Sequence, residues 1–350
     1  MQRAPSFGEP KLGKNAPNIH HFPATGTRRL HTERKYSSLC PALAKKLPME
    51  VIFMIFEVAA RSDQVTARSI SLVCRHARLI AAPEVYRFIS FKWGASLPGF
   101  LRFAQSRSQL CPSIRHLWLG NHYAPARLLA QCSSLERIAL EPQSFIDYCT
   151  IKENPAEMYP YNYRPPLRTH EVILLSYPCD WSELDPSDKL TAASLQAITH
   201  LWLTRPTQLF TRPRCRRIIP CLSRITHLAI KLDITPGGHL DIAPIMQEVR
   251  DTISSLPALK MLVLVVDRCT KRGNDASRVY EFAESLRTMD NRVYVVPLPD
   301  GSMDFVAVED QVLPLFKGSA AGRGSLWDRA IEVRAELGMK RPQSWYSRFI

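Results

Sequence analysis

The segment ITHLWLTRPTQLFTRPRCRRIIPCLSRITHLAI (198–230) begins and ends with almost the same six residues. Both copies carry aliphatic residues at their first, fourth and sixth positions. The same template starts at residues 114, 135 and 259, and looser versions start near residues 172 and 293. Neighbouring copies are separated by roughly 20 to 40 residues, a spacing typical of solenoid proteins built from stacked repeats. The chain therefore contains an irregular internal repeat.

Each template has the alternating pattern of a β-strand, and several of the segments between templates have helical patterns. Parallel neighbouring strands need such crossover connections. Alternation predicts that Leu117 and Leu119 point into the core, with Ile138 and Leu140 of the next repeat stacked on them. The template resembles leucine-rich repeats, although the Asn usual in that family stands only at Asn121. We predict an α/β fold in which residues 93–310 form an irregular leucine-rich-repeat-like solenoid with parallel strands. A non-repetitive α/β domain is the alternative.

Alternation places the remaining template side chains on the opposite face of the sheet. His116, His200 and His227 share one template position, and Trp118 and Trp202 follow two residues later in their copies. We expect this face to be exposed, and exposed tryptophans often anchor protein interfaces. These five residues are therefore candidates for binding a client protein. The alternative is that they pack under loops or against neighbouring strands.

A stretch without acidic residues separates Asp188 from Asp233. Its basic residues are Lys189, Arg205, Arg212, Arg214, Arg216, Arg217, Arg224 and Lys231. Arginine suits phosphate and carboxylate ligands because its guanidinium group can donate two parallel hydrogen bonds. We predict that Arg214, Arg216 and Arg217 also contact the client. One alternative is a nucleic-acid or phosphate-binding module that uses residues 205–224, where stacking aromatics are scarce. The other is a solvated loop.

Upstream of the repeats, the segment LPMEVIFMIFEVAARSDQVTARSISLVCRHARLIAAPEVYRFISF (47–91) is unusually apolar. A helix that starts near Met49 carries apolar residues on nearly all sides: Val51, Ile52, Met54, Ile55, Phe56 and Val58. A second helical run starts near Thr66, and Pro83 is expected to end it. A helix that is apolar all round is buried on both sides, but so few residues make too small a core to stand alone. The surplus apolar surface needs the rest of the chain or a partner.

This segment resembles an F-box, the small helical module of a family of ubiquitin-ligase subunits. The matching residues are Leu47-Pro48, Glu50, Val51-Ile52, Ile55-Phe56, Ser71-Leu72-Val73-Cys74-Arg75, Pro83 and Val85-Tyr86. The segment departs from the family at Ala77, where Trp is usual, and at Val85-Tyr86, where Leu-Trp is usual. An ordinary helical hairpin packed on its own chain is the alternative.

The resemblance implies a substrate-receptor subunit of a Skp–cullin–F-box type ubiquitin ligase. The F-box-like domain, within residues 42–92, would bind a Skp-type adaptor and through it a cullin–RING ligase, while the repeat domain would hold an unknown client protein. The adaptor contacts that it implies are Leu47, Pro48, Val51, Ile52, Ile55 and Phe56. Other subunits would then carry out catalysis, so neither enzyme activity nor a cofactor is expected here.

The two ends of the chain have different patterns. Residues 1–41 contain scattered prolines and basic residues, which predicts a disordered basic arm; a transit peptide is a weaker alternative. Residues 311–350 are expected to form a tail whose helix starts at a capping box of Ser325 and Asp328. Because the ends of a solenoid need covering, we expect this helix to cap the end of the array.

The composition of the chain and the motifs it lacks limit the other functions that the protein could have. Lysine and arginine total 46 against 32 acidic residues, and the net charge of +14 favours anionic partners without indicating a fold. Nine cysteines without a CxxC pair favour reduced thiols and a cytoplasmic or nuclear protein. No apolar run could span a membrane, no hydrolase, nucleotide-loop or zinc-protease motif is found, and Cys215, Cys221 and His227 fit no standard zinc spacing. We expect an interaction protein without metal or cofactor, whose partner is neither nucleic acid nor a membrane.

Overall fold

The computed structural model describes residues 47–91, 97–120, 122–123, 126–150, 169–175, 180–204, 215–232, 242–267, 282, 284–286, 288–298, 305–320, 322 and 324–339. The chain divides into a larger unit, residues 49–350, and a second unit, residues 1–48. Of the second unit only Leu47 and Pro48 are described. The disordered arm predicted for residues 1–41 lies outside the described residues.

Three helices open the larger unit: α1 (Met49–Ser62), α2 (Gln64–Ser71) and α3 (Arg75–Tyr86). Asp63 caps α2, because its Oδ1 accepts a hydrogen bond of 2.8 Å from the backbone N–H of Thr66. The sequence predicted one continuous helix from near Thr66 to Pro83, and this prediction is wrong. The helix ends at Ser71, a new helix begins at Arg75, and Pro83 lies inside α3 instead of ending it. The core that the three helices share consists mainly of alanines, with one larger residue: Ala60, Ala67, Ile70, Ala77 and Ala81.

Eight strands form one sheet in the order of the sequence, and every neighbouring pair is parallel. They are β1 (Phe88–Ser90), β2 (His116–Trp118), β3 (Arg137–Leu140), β4 (Glu171–Leu174), β5 (His200–Leu203), β6 (His227–Leu232), β7 (Met261–Asp267) and β8 (Val293–Leu298). The α/β class and the parallel strands are thus confirmed, and β2 to β8 coincide with the seven template segments.

Strand β1 was not predicted. It lies within the range assigned to the helical domain, and only Arg87 separates it from α3. Gln64 fastens this junction to α2, because its side-chain Nε2 donates hydrogen bonds to the carbonyl oxygens of Val85 at 2.6 Å and Phe88 at 2.7 Å. The sheet therefore begins directly at the end of the helical module.

The connections between strands cover the first face of the sheet. They include α4 (Leu97–Ser106), α5 (Ala126–Gln131), α6 (Pro142–Thr150), α7 (Lys189–Ala197) and α8 (Ile242–Ser255), with 3-10 helices at Ser108–Ser113, Trp181–Glu183 and Cys215–Leu222. The aliphatic residues of the template line this core, and Leu117 stands beside Ile138 in register as predicted. Side chains at the fourth and sixth template positions are buried here because a period of two points them to one face. The first-position residues lie just before the strands and are buried in the same core: Ile114, Leu135, Ile198, Ile225 and Leu259.

The second face of the sheet is also buried. Helices α9 (Phe305–Ala320) and α10 (Leu326–Met339) pack on it. The ring centroid of Phe316 lies 5.4 Å from that of Trp118, and the ring of Trp327 lies 5.5 Å from His200 and 5.3 Å from His227. The expectation that this face is exposed is therefore wrong. The physical reason is that its central row, Trp118, Ala139, Ile173, Trp202, Ala229 and Val263, is itself apolar.

The tail helix forms where predicted but covers a different surface. The backbone N–H of Ser325 donates to the Asp328 carboxylate at 2.9 Å, and the N–H of Asp328 donates to the Ser325 hydroxyl at 3.1 Å, which is the predicted capping box. Leu326 and Ala330 then face the second core. The helix therefore lies on the face of the sheet and does not simply cap the end of the array.

We predict that Trp327→Ala lowers the free energy of unfolding by about 3 to 5 kcal/mol, because it removes a large side chain that is only 8% exposed. Urea denaturation measures this loss. Ile331→Ala on the same helix is the matched control: its side chain is 52% exposed, so its effect should stay under about 1 kcal/mol. Equal effects of the two changes would contradict the described packing of α10.

Candidate partner-binding surface

Exposed large apolar side chains concentrate in the helical module. Among the described residues eleven such side chains are exposed, and eight of them lie between Met49 and Leu79. The eight are Met49, Met54, Ile55, Val58, Val65, Leu72, Val73 and Leu79. The other three, Leu47, Tyr123 and Ile331, lie outside the helical module. Large exposed apolar patches are characteristic of interaction sites, so the helical module is the candidate partner-binding surface.

The small size of the module's own core explains this exposure. Helix α1 is apolar on nearly every side, but only one side faces the alanine-rich core, where Phe56 and Ala59 pack. The side chains of Ile55 and Val58, three residues apart on another side, are 50% and 70% exposed. The described part of the chain therefore leaves a side of α1 without an apolar neighbour.

The predicted adaptor contacts divide into two groups. Leu47, Pro48 and Ile55 are exposed, whereas Val51, Ile52 and Phe56 are half-buried. None of the six is sealed inside the chain, so each retains accessible apolar surface. Their role in adaptor binding stays a prediction.

Sequence analysis missed the contribution of α2 and α3 to this surface. Leu72 is 78% exposed at the end of α2, next to the exposed Val73, and Leu79 is exposed on α3. The rings of Phe53 and His76 stack at a centroid distance of 4.4 Å, which fixes α1 against α3. A sequence signal was present, since two consecutive aliphatic residues directly after a short helix are poorly placed to join its buried stripe.

The second predicted site lies beneath the two C-terminal helices. Trp118, Trp202 and His116 are buried, and His200 and His227 are half-buried. These side chains therefore present no free recognition face for a client while α9 and α10 stay in place. Of the predicted arginines, Arg214 lies outside the described residues, Arg216 belongs to the 3-10 helix Cys215–Leu222, and Arg217 is exposed. The basic cluster stays a prediction.

A row of polar side chains crosses this buried face at the beginning of the strands. His116, Arg137, Glu171, His200 and His227 stand in register from β2 to β6. The Nε atom of Arg137 lies 3.0 Å from a carboxylate oxygen of Glu171, which pairs the two charges of the row. The three histidines therefore have to be accommodated next to a buried ion pair.

Two of these histidines are stacked in neutral form. The rings of His200 and His227 are 4.2 Å apart and nearly parallel, at 8°. The hydroxyls of Thr199 and Thr226 donate to backbone carbonyls of the preceding strands and lie 2.9 Å and 2.8 Å from the Nδ1 atoms of the two rings. When the hydroxyl donates to the carbonyl, the ring Nδ1 donates to the hydroxyl; in the other tautomer the hydroxyl donates to Nδ1. Burial lowers the pKa of His200 to about 3 and also lowers the pKa of His227.

The described residues contain few other candidate sites. No group of three or more His, Cys, Asp or Glu side chains in the described ranges could hold a metal ion. Cys74, Cys111, Cys132, Cys149 and Cys221 are free thiols. Among the helices of these ranges, none is long and apolar enough to cross a membrane.

The sequence matches no protein-family model and no curated protein. The functional argument therefore starts from the geometry of the chain itself. Its leading observation is the apolar surface of α1 to α3, which the rest of the described fold does not cover.

We predict that the free energy of unfolding falls as the pH drops from about 6.5 to 5. Burial lowers the pKa of both His116 and His200 to about 3, so below about pH 6.5 the unfolded chain binds protons that the folded chain does not. Each of the two histidines then lowers the free energy of unfolding by up to about 1.4 kcal/mol per pH unit. Their full contribution to stability is present above about pH 6.5.

Urea denaturation at several pH values measures this dependence. His200→Gln should reduce the slope by about one histidine's share. An unchanged slope in His200→Gln would contradict the buried neutral ring.

Proposed function

We propose that this protein is a substrate-receptor subunit of a Skp–cullin–F-box type ubiquitin ligase, in which α1, α2 and α3 act as an F-box. The observation that carries the proposal is the concentration of exposed apolar side chains on these helices. The order of motifs from Leu47-Pro48 to Val85-Tyr86 supports the same function, because it resembles the F-box pattern.

Binding of a Skp-type adaptor would be driven by burial of this apolar surface. Each square ångström of apolar area removed from water stabilises a complex by about 25 cal/mol before the costs of association. A stable protein interface buries about 1,600 Å² in total. The exposed apolar side chains are spread over three helices, because Leu72, Val73 and Leu79 add to those of α1.

The main departure from the F-box pattern affects the core of the module and leaves its exposed surface intact. Ala77 is fully buried among Ala60, Ala67 and Ala81. Small side chains allow the three helices to approach one another closely, so a Trp at this position has no place in the described packing. The alanine core therefore leaves the larger aliphatic residues outside, where a partner would reach them.

The repeat domain would hold the client. Eight parallel strands in sequential order support a leucine-rich-repeat-like array, because every connection returns the chain to the next parallel strand. Since α9 and α10 cover one face and the connecting helices cover the other, the client would bind loops, the exposed Arg217 region or the outer surfaces of helices. Catalysis would belong to the cullin–RING subunits, without a cofactor here, in the cytoplasm or the nucleus.

We predict that the double variant Ile55→Asp with Val58→Asp loses co-purification of a Skp-type adaptor. Both side chains are largely exposed on α1, so the fold should survive the change while two carboxylates enter the apolar interface. The expected loss of affinity is at least about tenfold. Binding of purified adaptor is measured by calorimetry, and circular dichroism checks the fold.

Ile331→Asp on α10 is the matched control, because it places the same charge at an exposed aliphatic position outside the module. This variant should bind the adaptor like the wild type. Undiminished binding by the double variant, or no binding by the wild type, would contradict the proposal.

A further inference from the structure

A cleft lies at the junction between the helical module, the start of the sheet and helix α9. Its walls come from the turn between α1 and α2, from residues 84–90 where α3 passes into β1, and from the last turn of α9. Its volume is about 820 Å³, which falls within the range of small-molecule sites, about 300 to 1,000 Å³. Three segments distant in sequence therefore enclose a space of ligand size.

Cationic side chains dominate the charged lining of this cleft. Four of its residues are Arg or Lys, namely Arg61, Arg68, Arg87 and Lys317, and two are acidic, Asp63 and Glu84. Arg68 and Lys317 are exposed, and no carboxylate of the described residues forms an ion pair with either. The lining thus has an excess of positive charge.

Both acidic residues already have partners. The carboxylate of Asp63 caps α2 by accepting hydrogen bonds from the backbone N–H and the hydroxyl of Thr66. Glu84 accepts a hydrogen bond of 3.4 Å from Nη1 of Arg87. They therefore offset the cationic lining only in part, and an anionic ligand would meet the remaining donors of Arg87, Arg68 and Lys317.

Unpaired polar atoms are buried at the inner end of the cleft. His116 lines the cleft and is only 2% exposed, yet neither ring nitrogen has a hydrogen-bond partner among the described residues. The buried Nε of Arg87 lacks one as well. Buried polar groups that stay unpaired destabilise the folded chain. A hydrogen-bonding ligand would remove part of this cost.

The charges around His116 are themselves paired. Burial is the main cause that lowers its pKa, and the positive charges of Arg137, Arg87 and Arg115 lower it further, so the ring is neutral. Each of these arginines has a carboxylate partner. The excess positive charge of the cleft therefore comes from Arg68 and Lys317. Phe88 and Ile89 add apolar surface to the same wall.

We propose that this cleft binds a small phosphate-bearing molecule, with its oxyanion held by Arg87, Arg68 and Lys317 and its apolar part against Phe88. Guanidinium groups match phosphate oxygens through paired hydrogen bonds, and lysine adds a point charge. The proposal does not depend on adaptor binding, because none of the exposed large apolar residues of the helical module lines the cleft.

Isothermal calorimetry of the full chain with inorganic pyrophosphate at constant ionic strength tests this site. The wild type should show saturable binding, and Arg87→Gln with Lys317→Gln should weaken it at least about tenfold. Arg68→Gln, at an exposed position that leaves the packing intact, should weaken it severalfold. Arg250→Gln is the matched control, because it removes the same charge from an exposed position of α8 outside the cleft.

Three results would overturn the proposal. The first is the absence of saturable binding by the wild type. The second is equal weakening by Arg250→Gln and Arg68→Gln, which would mean that only net charge matters. The third is equal affinity for citrate and pyrophosphate, which would remove the preference for phosphate over carboxylate.

Discussion

The burial of both faces of one parallel sheet is the constraint on which the rest of this structure depends. Strand alternation points the template aliphatics to the connecting helices and the row containing Trp118 and Trp202 to the other side. A sheet of parallel strands that is apolar on both faces must be covered on both. Helices α9 and α10 provide the second cover, and Phe316 and Trp327 fit against the aromatic side chains beneath them.

This cover has consequences for polar residues and for function. It encloses the row from His116 to His227, so the histidines are neutral and Arg137 pairs with Glu171. It also removes the sheet as an open binding surface. Within the described ranges, the helical module is then the part where large apolar side chains gather on the outside. The packing that closes the repeat domain thus leaves α1, α2 and α3 as the surface on which the proposed partner would bind.

The sequence predicted those features of the fold that depend on interactions between residues close in the chain. The period-two templates predicted seven strands, and Ser325 with Asp328 predicted the start of α10, because alternation and capping depend on neighbours in the chain. Strand β1 was missed because its three residues follow a helix with one residue between them. The burial of Trp118 and Trp202 was missed because it depends on α9, a distant element that contains Pro314 and was not recognised as a helix. The exposed Leu72 was missed although its place directly after a short helix was a usable signal, whereas the exposure of Leu79 follows from an alanine-rich core that only packing reveals.

Hydrogen–deuterium exchange of the full chain, with and without a purified Skp-type adaptor, tests the central claim most directly. The account predicts slower exchange within residues 49–86 when the adaptor is present, with unchanged exchange in β2, β5 and α10. Protection of the sheet, faster exchange in α10, or no change within residues 49–86 would contradict it.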